Sequence, residues 1–299
     1  MTLLDAVRAA SARLDQAGVS FGHGTTNAWD EAAWLVLWRL GLPLDDLDGV
    51  ARRELTPDEE RAIDVLIRER IASRKPAAYL TGEAWLQGVP FTVDERVIVP
   101  RSLIAEVIAD GTLDAWLPPD TRRVLDLCTG NGSLAVLAAM AWPEVTVDAA
   151  DLSADALAVA RINVERHALQ QRIRLLQGDG LAAVGDERYD LILCNPPYVD
   201  APSMAALPPE YRAEPEIALA GGADGLDFVR VLLRDAAAHL NEHGVLVLEI
   251  GHERGHFERA FPRLEPVWLP TSAGDDQVLL LVREALAAPR GIGARPRRR

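Results

Sequence analysis

RRVLDLCTGNGSLAVLAAMAW, residues 122–142, decides the fold. RRVLDLC reads as an apolar strand, TGNG as a tight turn and SLAVLAAMAW as a helix. Working outward, the alternation continues. VTVDAAD is a second strand and SADALAVARINVERHAL the helix after it. RIRLLQ, YDLILC and GVLVLEI add three more strands. VWLP and QVLLLV, separated by a short turn containing Gly274, complete seven and are predicted to pair as a hairpin. This order predicts a doubly wound α/β sheet. Ligands of such sheets bind outside the carboxyl ends of the strands, near the switch in strand order.

Upstream the pattern is different. Leu3, Leu4, Val7 and Leu14 recur at helical spacing, as do Trp29, Ala32, Ala33, Val36 and Leu37. Thr56-Pro57-Asp58-Glu59-Glu60 carries the signals of a helix start, and the helix it opens ends before Pro76. Trp29, Trp34 and Trp38 are expected to pack a small helical bundle rather than form a binding surface. AYLTGEAWLQGVPFTVDERVIVP, with Gly82, Gly88 and Pro90, predicts a β-hairpin, and Leu103 to Trp116 a helix. The expected organisation is a helical N-terminal domain over 1–75, a hairpin and connecting helix over 76–118, an α/β domain over 119–286 and a disordered Arg-rich tail over 287–299.

Composition excludes some classes. At 299 residues, 49% hydrophobic and 25% charged, the chain has the make-up of a globular protein. Its apolar runs are too short to span a bilayer and its start does not read as a signal peptide. Cys128 and Cys194 cannot make a secreted disulfide framework, so a cytoplasmic protein with no membrane partner is expected. Net charge is −14 even though RGIGARPRRR, at 290–299, holds five Arg and no acid. The body is therefore more acidic still. That would repel nucleic acid and attract basic protein partners, unless it only reflects background composition.

Three strand ends carry candidate ligand groups. In Asp126-Leu127-Cys128-Thr129-Gly130-Asn131-Gly132, the two glycines permit a tight turn and close backbone approach to a helix N-terminus. A dinucleotide fingerprint would want three glycines, which argues against NAD. Asp151 closes the second strand and can accept both hydroxyls of a ribose, leaving Ser153 to cap the next helix. Asp179 closes the third strand and could accept from an adenine amine, or be a solvated turn residue.

Asn195-Pro196-Pro197-Tyr198 closes the fourth strand and is the most specific feature of the chain. Asn195 offers a rigidly aimed amide oxygen, the Pro196 carbonyl a second acceptor, and Tyr198 a flat face. Two acceptors and a ring suit a planar NH2 group, whether an amide or the exocyclic amine of a base.

DLCTGNG, Asp151, Asp179 and NPPY together resemble a class I S-adenosylmethionine-dependent methyltransferase acting on a planar nitrogen. AYLTGEAWLQGVPFTVDERVIVPRS, NPPYVDAPSMAALPPEYRAEPEIAL and GGADGLDF resemble the protein-glutamine N-methyltransferases over roughly Ala28 to Glu284. Cys128, Pro100-Arg101-Ser102-Leu103-Ile104-Ala105-Glu106 and EYRAEPE lean to the branch acting on large-subunit ribosomal protein number three. The release-factor branch usually has Gly at the Cys128 position and is the nearest alternative. A nucleic-acid amino-methyltransferase shares NPPY but fits the acidic body poorly, and a non-catalytic ribosome-assembly factor is the alternative outside enzymes.

The resemblance implies a fold with a Rossmann-like seven-stranded sheet, a small helical N-terminal domain and a linking β-hairpin. It implies S-adenosyl-L-methionine as cofactor, S-adenosyl-L-homocysteine as product and no metal. The implied cofactor set is Asp126, Cys128, Thr129, Gly130, Asn131, Gly132, Asp151, Leu152, Asp179, Gly180 and Asn195, and the implied catalytic set Asn195, Pro196, Pro197 and Tyr198. For the substrate, a basic ribosomal protein, the expected contacts are Arg101, Asn195, Tyr198, Glu214 and Glu216. The two glutamates belong to an acidic loop, Val199 to Gly222, expected to cradle a basic segment. Arg101 is read as pinning this loop or touching substrate. Cys128 and Cys194 are read as small buried residues near the pocket, with a redox pair as the alternative. His23, His167, His239, His243, His252 and His256 are read as surface or capping residues.

Overall fold

A computed structural model of the chain describes residues 1–287. The expected Arg-rich tail lies, apart from Ala287, outside the described residues. Three helices, Leu3–Gln16, Ala28–Arg39 and Pro57–Ser73, dominate the N-terminal region. The third starts as its sequence dictates: Thr56 Oγ1 accepts from the Glu59 N–H at 3.3 Å, and Glu59 accepts from the Thr56 N–H at 2.9 Å. This reciprocal cap satisfies two otherwise orphaned donors. Leu3, Val7, Leu14, Ala32, Leu35, Val36, Ile63 and Ile67 are buried together, so the helical stripes face one another. Trp34 and Trp38 pack against this core, whereas Trp29 is 39% exposed and does not.

Strands β1 (Glu83–Leu86) and β2 (Val89–Thr92) form the expected hairpin. Gln87 and Gly88 both have positive φ, the backbone that a two-residue hairpin turn requires. The single helix expected over 103–116 is divided. Helix Ile104–Ala109 stops before Gly111, whose φ of +75° cannot continue it, and a 3₁₀ turn, Thr112–Trp116, follows.

The large sheet contains β3 (Arg123–Leu127), β4 (Thr146–Asp151), β5 (Ile173–Gln177), β6 (Tyr189–Cys194), β7 (Leu240–Glu249), β8 (Val267–Thr271) and β9 (Gly274–Val282). Their order is β5-β4-β3-β6-β7-β9-β8, with β9 antiparallel to both its neighbours and the other pairs parallel. Both faces are covered. Val245 and Val247 of β7 pack into one apolar layer, and Leu246 and Leu248 into the other, which is why the strand reads as a continuous apolar run. The chain leaves β3 for β4 on one side and β6 lies on the other. The switch point is therefore the mouth between the ends of β3 and β6.

Candidate active site

At the end of β3 the backbone turns through three left-handed residues, Cys128, Gly130 and Gly132, at φ of +62°, +56° and +80°. Asp151, closing β4, ties this turn down. Its Oδ2 accepts from the Gly130 N–H at 2.9 Å and its Oδ1 from the Ser153 N–H at 2.8 Å. Ser153 Oγ in turn accepts from the Ala156 N–H, so Ser153 caps the following helix. Asp126 lies fully buried beneath the turn. Its Oδ2 accepts from Thr129 Oγ1 at 2.5 Å and from the Ala135 N–H at 2.9 Å, while Oδ1 is buried without a partner among the described residues. Burial raises the Asp126 carboxyl to about 7. Asn163 clamps the arrangement from behind, accepting from the Thr92 N–H and donating to the carbonyls of Thr92 and Asn131.

These turns open onto a first cleft. Cys128, Gly130, Asp151, Leu152, Asp179, Gly180, Asn195 and Pro197 line it, as do Phe228, Ile98 and Ile217. Asp126, Thr129, Asn131 and Gly132 are not on its wall; they shape and support the turn from behind. The donor set fits the expected cofactor. Carboxylates stand at the ends of β4 and β5 for sugar hydroxyls and a base amine, between apolar walls for a flat base. Phe228, Ile98 and Ile217 carry no local motif and were not read from the sequence.

Asn195 follows β6, whose Cys194 pairs in register with Leu127 of β3 and Leu248 of β7. A second cleft lies beyond it, lined by Arg101, Asn195, Pro196, Tyr198, Tyr211 and His252 among others. Asn195, Ile98 and Ala218 belong to both clefts, so Asn195 stands on their common wall. Among the described residues neither its side-chain amide nor the Pro196 carbonyl has a hydrogen-bond partner.

Tyr198 is held from behind. Its hydroxyl donates to Glu249 Oε1 at 3.2 Å, and Glu249 Oε2 accepts from Ser102 Oγ at 2.6 Å and the Leu103 N–H at 2.9 Å. Burial raises both the Tyr198 phenol and the Glu249 carboxyl. A Cβ at Gly251 would fall 2.4 Å from Tyr198 Cε2, so the ring rests directly on the backbone. Glu249 was missed by sequence reasoning. Its signal was an acid closing the otherwise apolar strand GVLVLEI, the same position that marked Asp151.

The acidic loop differs from its expected role. It contains a short helix, Ala201–Ala206, and 3₁₀ turns at Tyr211–Ala213 and Glu216–Ala218. Its bridge Val199–Ala220 closes it on itself. Glu214, expected to meet substrate, has no exposed side-chain surface. Its Oε1 accepts from Arg101 Nη1 at 2.6 Å and the Val99 N–H at 2.9 Å, and its Oε2 from Arg101 Nη2 at 2.7 Å. Burial alone would raise Glu214, but Arg101 and His23 together hold it down at about 2. Glu210 is likewise buried, 3.3 Å from Arg70 and 2.8 Å from Arg74. Two loop acids are thus neutralised by arginines and cannot attract a basic segment. Arg101 pins the loop and also lines the second cleft.

His23 departs from its expected surface place. It is 1% exposed, stacked on Tyr211 with ring centroids 4.3 Å apart, and its Nε2 lies 3.5 Å from Glu214 Oε2. Cys194 is buried and Cys128 partly so, both as free thiols, and burial with Cys128 alongside raises Cys194. Among the described residues, Asp200, Glu253 and His256 bring three possible metal-ligand atoms within 4.8 Å. Protein contacts already use them: Asp200 caps the Ala201–Ala206 helix and His256 pairs with Glu253. No helix among the described residues is long and apolar enough to cross a membrane.

Comparison with known proteins gives the family. Residues 111–206 match the family model of the methyltransferase small domain, and residues 5–82 that of the PrmC N-terminal domain. The chain is 55% identical to the ribosomal protein uL3 glutamine methyltransferase of Bordetella pertussis over 287 residues, 95% of this chain and 96% of that one. It is 53% identical to the Burkholderia pseudomallei protein of the same name, covering 97% of each. Among solved structures, the hMettl16 catalytic domain in complex with MAT2A 3'UTR hairpin 6 aligns over 76% of this chain and 81% of that one. Its TM-score is 0.51 at 14% identity, which is a likeness of fold alone.

Proposed function

The chain belongs to the ribosomal protein uL3 glutamine methyltransferases, and we propose that it methylates a side-chain amide nitrogen of a glutamine in uL3 through the two clefts that meet at Asn195. S-adenosylmethionine, bound in the first cleft, supplies the electrophilic methyl. Asp151 and Asp179 accept from its sugar and base, and the Gly130 turn brings the backbone close to it. An amide nitrogen is a poor nucleophile because its lone pair is delocalised. Asn195 and the Pro196 carbonyl accept the two amide N–H groups of the target and favour a pyramidal nitrogen as the bond forms. Tyr198, fixed by Glu249 and Gly251, packs on the amide plane and excludes water. Orientation towards the methyl supplies most of the acceleration. The methylated nitrogen is strongly acidic and gives its proton to solvent water as the product leaves the cleft, so no histidine base is required. The reaction belongs in the cytoplasm, where ribosomal proteins are made.

The single observation that supports this reading best is Asn195, with its amide unpaired, on the wall shared by both clefts. Incubation with labelled cofactor and separate pools of uL3 and release factor should label uL3 at glutamine, located by peptide mass spectrometry. Asn195→Ala should keep cofactor affinity and lose about 10²–10³-fold in turnover. Equal turnover in the variant would remove Asn195 from the mechanism, and label confined to release factor would reassign the substrate.

A further inference from the structure

The second cleft does not end at Tyr211. Leu207, Tyr211 and Leu219 also line a third groove, which continues past Met204 to Glu216. This groove has a volume of about 460 Å³ against about 240 Å³ for the second cleft, so there is room for chain beyond the reacting side chain. Its walls are partly apolar, and its charges are unequal in availability. Glu214 is taken up by Arg101, whereas Arg212 keeps its charge but is tied at 3.3 Å to the Ala205 carbonyl, at the Met204 end of the groove. Glu216 is exposed on its 3₁₀ turn and has no ion-pair partner among the described residues.

We propose that the polypeptide flanking the target glutamine leaves the second cleft over Tyr211 and lies in this groove, where Glu216 selects a Lys or Arg on that flank. The inference rests on the glutamine-methyltransferase reading and names the determinant of its substrate choice. Two features commit the groove to a basic peptide: its continuity with the cleft that holds Asn195 and Pro196, and its free carboxylate. Tyr211 supplies a rigid surface between the two halves. Its ring packs against the tilted His23 ring, with centroids 4.3 Å apart, and under the Arg101 guanidinium, 5.5 Å from its centre.

The test uses the full chain, labelled cofactor and synthetic peptides with one central glutamine and a single Lys or Glu placed in turn at each neighbouring position. At one position on one side, replacing Lys by Glu should raise KM about fivefold with kcat little changed. Glu216→Lys should invert that preference and Glu216→Gln should abolish it. Transfer that ignores flanking charge, or a preference untouched by either variant, overturns the inference while leaving the activity intact. A preference for Glu peptides also overturns it and assigns the groove's charge to Arg212. No transfer to any glutamine peptide by a chain that still labels uL3 overturns this inference alone, and no transfer to uL3 either, by a chain that still binds cofactor, overturns the activity reading.

Discussion

The first cleft takes Cys128, Asp151 and Asp179 from the ends of three adjacent parallel strands, β3, β4 and β5, so each group sits where a short turn leaves the sheet. The second takes Arg101, Asn195, Tyr198 and Tyr211 from segments that meet only in the folded chain. Its supports are buried charges: Glu214 with Arg101, Glu210 with Arg70 and Arg74, and Glu249 under Tyr198. The first region is held by side-chain hydrogen bonds to its own turn and the second largely by ion pairs that bind the loop to residues before the sheet. Damage to the two should therefore differ in kind, local loss of a ligand contact in one and release of a whole wall in the other.

The largest effect is expected at the second wall. Glu214→Ala leaves the Arg101 guanidinium without its counter-charge and the Val99 N–H without its acceptor. Removing one partner of a buried pair costs about 3–5 kcal/mol, measurable by denaturant unfolding. The same variant should lose substrate turnover and keep cofactor affinity. Equal loss of both would mean that the clefts are not separate. A smaller effect is expected in the first cleft. Asp151→Ala removes a carboxylate that ties the turn and lines the first cleft, and should weaken cofactor binding about 10- to 100-fold by calorimetry. Unchanged affinity would exclude a cofactor role.

A pH profile separates the regions by sign. Asp126 titrates near 7 in the folded chain and near 4 when unfolded, so the folded state holds its proton longer. Its contribution to stability is full below about pH 4 and is lost as pH rises to about 7, by at most about 1.4 kcal/mol per pH unit. Glu214, held at about 2, contributes above its unfolded value of 4.5 and loses that contribution as pH falls towards 2. Unfolding free energies between pH 3 and 8 should therefore change slope in opposite directions in Asp126→Asn and Glu214→Gln. Parallel slopes would show that the two carboxyls are not held as described.

Legibility followed the same division. The seven strands, the glycine turn and the NPPY segment were readable because apolar period, turn residues and strand-end position are local properties. Glu249 was within reach of the same strand-end argument. His23, Glu210 and Glu214 were not. Glu214 meets Arg101 across 113 positions and Glu210 meets Arg70 across 140. Nothing within a few residues of an acid distinguishes one that will be buried against arginine from one that will face solvent. The loop acids therefore read alike as a cradle for a basic substrate, and the fold separated them into two struts, Glu210 and Glu214, a helix cap, Asp200, and one free carboxylate, Glu216.

By itself, the sequence determined the order of strands and helices, the turn that admits a cofactor, and the amide, carbonyl and ring at the end of β6. Each depends on a hydrogen-bonding or packing preference expressed within one strand or turn. Only the tertiary structure decided that Asn195 belongs to two clefts, that Tyr198 rests on Glu249 and Gly251, and that Glu214 is spent on Arg101 while Glu216 is not. The reason is physical. Whether a charge is available depends on what buries it, and its burying partners come from the N-terminal helices, the segment after β2 and the loop after β6, which meet only when the chain is folded.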